Sequence, residues 1–124
     1  MNLSTLLIIN AIATLAAGVV LFVAPNLIPS AVGIHIDRSA YLISYLLGSS
    51  ELAFAALCYY ARTLNDSQAL RVIALTCIIF HAASGVAEVY AFVQGVSAAV
   101  WWNVALRVVM VVLFLYYGLY RTAT

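Results

Sequence analysis

The stretch "ALRVIALTCIIFHAASGVAEVYAFV", residues 69–93, decides how the chain is read. It is longer than the roughly 20 apolar residues that an α-helix needs to cross a bilayer. Yet it carries His81 and Glu88, seven positions apart, where hydrocarbon disfavours charge. Seven residues are nearly two full helical turns, so both side chains fall on one face. His81, Ser84, Gly85 and Glu88 therefore form a polar or small stripe along an otherwise apolar rod. A rod of this kind implies neighbours that cover the stripe.

Composition gives the same answer. The 124 residues are 67% hydrophobic and 7% charged. A soluble domain carries about 25% charged residues, so too little polar surface is present to coat a water-soluble particle. The length suits one domain, residues 1–124. The net charge of +1 offers no basis for a nucleic-acid partner. Besides residues 69–93, three further segments have spanning length and composition: residues 3–23, 40–60 and 98–120. The expected fold is all-α, an integral membrane four-helix bundle. The first segment lacks a basic leader and a convincing small-x-small cleavage site, so it is read as a retained helix and not a signal peptide.

Punctuation sets the limits. Pro25 and Pro29 are expected to stop the first helix. Asp37 or Ser39 is expected to cap the second, and Asp66 or Ser67 the third. Gly95 to Ser97 turn the third into the fourth. The long connection "PNLIPSAVGIHIDRS", residues 25–39, alternates Val32, Ile34 and Ile36 with Gly33, His35 and Asp37. It is expected to be a short interfacial segment between helices 1 and 2. A lone strand would leave its backbone unpaired in lipid.

Four spans put both termini and the second-to-third connection on one side. That side carries Arg62, Arg71 and Arg121, against Arg38 on the other. The positive-inside bias then places both termini in the cytoplasm. Trp101 and Trp102 fall near the outer interface, and Tyr59, Tyr60, Tyr116, Tyr117 and Tyr120 near the inner one, as aromatic belts do.

Each remaining span has a stripe matching that of the third. Asn10, Thr14 and Gly18 line the first; Ser44, Gly48, Glu51 and Ala55 the second; Asn103, Arg107 and Met110 the fourth. Small residues allow helices to approach and polar groups seek partners, so the stripes should face inward. By depth, Glu51, Glu88, Asn103 and Arg107 are expected to meet in the outer half of the bundle, with His81 below them. A charge at the bilayer centre costs about 2.5–3.5 kcal/mol on insertion scales. Arg107 is therefore expected to pair with Glu51 or Glu88, as its fork suits a carboxylate. The remaining carboxylate would be protonated, or held by His81 or Asn103.

The length, the four spans, "FVAPNLIPSAVGI" (residues 22–34), "YLLGSSELAFAALCYYAR" (45–62) and "WNVALRVVMVVLFLYYG" (102–118) resemble the DoxX-like group of small four-helix bacterial membrane proteins. More narrowly, they are similar to a branch known only as a domain of unknown function. The resemblance covers nearly the whole chain through loose motifs. It implies a bacterial cytoplasmic (inner) membrane location. Because the group takes its name from a thiosulfate:quinone oxidoreductase subunit, it also implies a link to quinone or redox partners. No catalytic motif of that enzyme is identifiable, and no catalytic residue is carried over.

No P-loop, nucleophile elbow or zinc motif is present, so the sequence gives no catalytic residue and leans away from an enzyme. No cofactor is expected. Haem across a bundle wants paired axial ligands, and His35 sits in the outer connection, at the wrong depth to join His81. No metal is expected either, because Glu51, His81 and Glu88 match no recognised ligand spacing. Cys58 and Cys77 fall in the inner halves of their helices and can approach each other. A buried free cysteine is usually a small apolar residue. Three roles remain, all in contact with membrane lipids. The first is an accessory or scaffold subunit, bound to other membrane subunits or to copies of itself. The second is a binding module for a quinone-like or lipid ligand at the polar cluster Glu51, His81, Glu88, Asn103 and Arg107. The third is proton or small-solute transport by an oligomer.

Overall fold

The computed structural model describes residues 1–121. Four helices are long and apolar enough to cross a membrane. They form an all-α bundle, with no strand among the described residues. Helix α1 is Leu3–Val23, the short α2 is Leu27–Ala31, α3 is Tyr41–Ala61, α4 is Ser67–Val93 and α5 is Val100–Phe114. The last span continues α5 through a π-helical segment, Leu115–Tyr120. This is the architecture of a multi-pass membrane protein.

The caps correct part of the sequence reading. Asp66 caps α4, its Oδ1 accepting from the backbone N–H groups of Gln68 at 2.8 Å and Ala69 at 3.0 Å. Neither Asp37 nor Ser39 caps α3. A 3₁₀ turn, Arg38–Ala40, feeds directly into that helix, and no side chain bonds its first N–H groups. Pro29 does not end α1. It lies within α2, in the first turn, where a helix does not need the missing N–H. The connection is short helix followed by a turn at Gly33, whose φ of +79° suits glycine. It is tied back by Asn26 Oδ1, which accepts from Ile36 N at 3.3 Å, and by Ser44, whose hydroxyl donates to the Pro25 carbonyl at 2.9 Å.

The spans associate as two pairs. Helix α1 packs along α3, and α4 packs along α5 and its π-helical continuation; contacts between the pairs are sparser. Glycine sets the α1–α3 approach. A Cβ on Gly18 would stand 3.0 Å from the Gly48 carbonyl oxygen, and one on Gly48 would stand 3.1 Å from that of Gly18. Gly118 plays the same part for the second pair, since a Cβ there would lie 2.5 Å from the Ala74 Cβ.

The two halves of the bundle differ in packing. Near the termini, Leu6, Leu7, Cys58, Ala74, Cys77 and Phe114 are fully or almost fully buried. The termini and the α3–α4 connection share this end. The Ser4 hydroxyl donates to the Arg62 carbonyl at 3.1 Å, and Arg121 Nη1 donates to the Met1 carbonyl at 3.3 Å. Further along, the pairs part, and the polar stripes line the gap.

Close approach at Gly118 makes a direct prediction. Gly118→Ala should cost about 1–3 kcal/mol through overpacking against Ala74. Gly85→Ala should be neutral or stabilising, because its Cβ would meet Arg107 at an ordinary 3.8 Å. Thermal unfolding of both variants in mild detergent checks the contrast, and equal midpoints would contradict the packing described.

Candidate functional site

Asn103 and Arg107 stand one turn apart on α5 and converge on Glu88 of α4. Asn103 Nδ2 donates to Glu88 Oε1 at 2.6 Å, and Arg107 Nε donates to the same oxygen at 2.7 Å. The pair is mostly but not wholly buried, with side-chain exposures of 18% for Arg107 and 17% for Glu88. Gly85, one turn before Glu88, faces the Arg107 stem, which a Cβ there would meet at 3.8 Å. The guanidinium carbon lies 5.6 Å from the Phe80 ring centroid, within range of a cation–π contact.

Below this pair, a cleft of about 280 Å³ opens between α1 and α5. Its polar lining is Asn10, Thr14, Glu51, His81, Asn103 and Arg107. Ile9, Ala17, Phe80, Leu106 and Met110 supply apolar wall. Ile9 and Leu106 are also exposed on the outer surface of the bundle, so the cleft opens sideways toward the surrounding lipid.

His81 forms the floor. Its Nε2 lies 2.8 Å from Asn10 Oδ1. An amide oxygen can only accept, so Nε2 carries the proton and donates. The ring is held between Phe80, edge-on at 5.2 Å, and Phe114, stacked at 6.2 Å. His81 Nδ1 is buried without a hydrogen-bond partner among the described residues. On its other side, Asn10 Nδ2 donates to Cys58 Sγ at 3.2 Å, and Cys58 Sγ lies 3.9 Å from Cys77 Sγ.

The residues singled out in the sequence separate into two groups. Glu88, Asn103 and Arg107 meet directly, and Glu88 is the partner that Arg107 chooses. Glu51 is buried on the cleft wall, in the electrostatic reach of Arg107 but outside this hydrogen-bonded set. His81 is not among the groups that hold a carboxylate; it belongs to Asn10. Asn10 was legible as part of the first helix's stripe, but not as the residue joining His81 to the thiols. That role depends on α1 and α4 facing each other across the bundle, which spacing within one helix does not reveal. The fourth helix is also rotated from the expected inward stripe. Val100, Val104 and Phe114 are its buried residues, while Asn103 is exposed at the cleft edge.

No family model matches the chain, and neither a curated protein nor a solved structure matches it.

The geometry separates the two carboxylates experimentally. Arg107→Met leaves Glu88 without its charged partner and should cost about 1–3 kcal/mol of stability in detergent. Adding Glu88→Gln should recover part of that loss, and adding Glu51→Gln should recover less. Chemical or thermal unfolding of the three variants measures this. Equal recovery by both double variants would remove Glu88 from its special place.

Proposed function

We propose that the protein binds a membrane-soluble ligand carrying carbonyl or hydroxyl groups, a quinone-like ring or a lipid head group, in the cleft between α1 and α5. The observation that carries this reading is a polar-floored cleft opening toward lipid. Ligand sites are typically concave and mostly apolar, with a few placed polar groups. Arg107 spends its Nε on Glu88, and the two terminal nitrogens of its fork remain to donate to a ligand oxygen. The unpartnered His81 Nδ1 is an acceptor for a hydroxyl. Arg107 and Glu88 neutralise each other, and Glu51 adds acid to the wall. That balance favours a neutral head group over an anionic one. The resemblance to DoxX-like proteins points toward quinones as well.

An accessory subunit role is the second reading. A separate apolar groove of about 380 Å³ runs along α1 and α3, lined in part by Ile8, Ile12, Leu15 and Ala56. Its small residues, Ala11, Ala55 and Ala56, would let a partner's helix approach. Transport by a single copy is disfavoured, since Leu6, Leu7 and Phe114 fill the half of the bundle beneath the cleft.

We place the chain in a bacterial cytoplasmic membrane with both termini inside. The support is the clustering of Arg62, Arg71 and Arg121 toward the end that holds the termini, against Arg38 at the other. Reporter fusions at each terminus should be active only in their cytoplasmic form; a periplasmic C-terminus would reverse the orientation.

Ligand binding has its own test. Protein purified in mild detergent should retain a short-chain quinone or a co-purifying lipid in native mass spectrometry. Arg107→Met should weaken quinone binding by about tenfold or more, the equivalent of one lost hydrogen bond at roughly 1.4 kcal/mol. A wild-type protein that binds neither, and runs instead as a stoichiometric part of a larger assembly, would favour the accessory role.

A further inference from the structure

Two thiols lie beneath the cleft and take no part in the binding just described. Cys58 of α3 and Cys77 of α4 are both fully buried, with their sulfurs 3.9 Å apart. A disulfide bond is about 2.05 Å long, so closure asks the two sulfurs to approach further. The pair is also wired to the cleft. Asn10 donates to Cys58 Sγ and accepts from His81, and both Asn10 and His81 line the cleft. An N–H directed at sulfur stabilises negative charge developing there, which is the form in which a thiol reacts.

We propose that Cys58 and Cys77 are a dithiol–disulfide couple inside the bundle, oxidised by a quinone-class ligand held in the cleft. This rests on the ligand-binding reading and narrows it to a two-electron acceptor. Burial shields both sulfurs from a water-soluble oxidant. A quinone that enters the cleft from lipid comes instead to Asn10, which lines the cleft and bonds Cys58. Quinones are terminal oxidants of protein dithiols in bacterial envelopes. The reaction balances without another reagent. The S–H bonds of Cys58 and Cys77 break and one S–S bond forms. Two electrons and two protons pass to the quinone, whose two carbonyl oxygens become the hydroxyls of the quinol. The product would join α3 to α4, and so one helix pair to the other, where their packing is sparse.

The test uses reduced protein purified in mild detergent and a quinone whose ring positions are all substituted, so that thiols cannot add to the ring. Bound quinone is measured by native mass spectrometry, quinol by absorbance, and free thiols by alkylation after denaturation. The expected result is one quinol formed per protein, loss of both thiols, and an intact mass lower by two hydrogens. Cys58→Ser and Cys77→Ser should each bind quinone, form no quinol and keep the remaining thiol. Quinone bound to wild-type protein with both thiols intact would overturn the couple and leave the ligand reading standing. Neither binding nor thiol loss would overturn both. Thiol loss that persists unchanged in either serine variant would show oxidation outside the pair and also overturn the couple.

Discussion

The guanidinium of Arg107 enters a lipid-surrounded bundle because Glu88 accepts its Nε hydrogen at 2.7 Å. Neither charge is tolerable there alone, and breaking such a pair costs more than its presence gains. Much of the half of the bundle away from the termini follows from accommodating it. Asn103 supplies a second donor to the same oxygen, and Phe80 offers its ring face to the cation. A bulky polar group between α4 and α5 also keeps these helices from presenting a smooth apolar wall to α1. The gap that results is the cleft.

The half near the termini is built on the opposite principle. Ala74 and Gly118 bring α4 and the π-helical segment together, and Leu6, Leu7 and Phe114 fill the space that remains. Phe114 belongs to both halves. It is the largest fully buried side chain among the described residues, and its ring also stacks under His81, fixing the imidazole at the cleft floor. Apolar packing below thus positions a polar group above, without any hydrogen bond to Phe114.

The spans were legible because hydrocarbon thickness imposes a length and an apolar composition that few other structures share. Residues 3–23 were read to the same limits as α1, and the third span differs by two residues at its start. The buried stripes of α1 and α3 were equally plain: Asn10, Thr14 and Gly18, and Ser44, Gly48, Glu51 and Ala55, are all buried. The fourth helix was not so readable. Valine and phenylalanine on one face and Asn103 and Arg107 on the next are both plausible interiors, and rotation about the helix axis is set by neighbours. The choice between Glu51 and Glu88 had the same origin. Depth brought both near Arg107, but only the α4–α5 pairing decides which one it reaches. Caps at Asp37 or Ser39 failed for a local reason, since a 3₁₀ turn already leads the chain into α3.

The polar links between the two helix pairs converge on one amide. Gly18 and Gly48 let α1 approach α3, and Gly118 lets the last span approach α4. Across the interior, the described polar contacts between pairs are the Asn10–His81 hydrogen bond and the contact of Cys58 with Cys77. Asn10 takes part in the first and bonds a member of the second. An asparagine buried to 1% exposure within a span is costly unless its amide is satisfied. Here it is satisfied from both sides, by a donor on α4 and an acceptor on α3. Beside the apolar core shared by all four spans, the polar groups that link the pairs are therefore those that form the cleft floor. Anything that changes the bonding of Asn10, from the cleft or from the thiols, acts on how the two pairs meet.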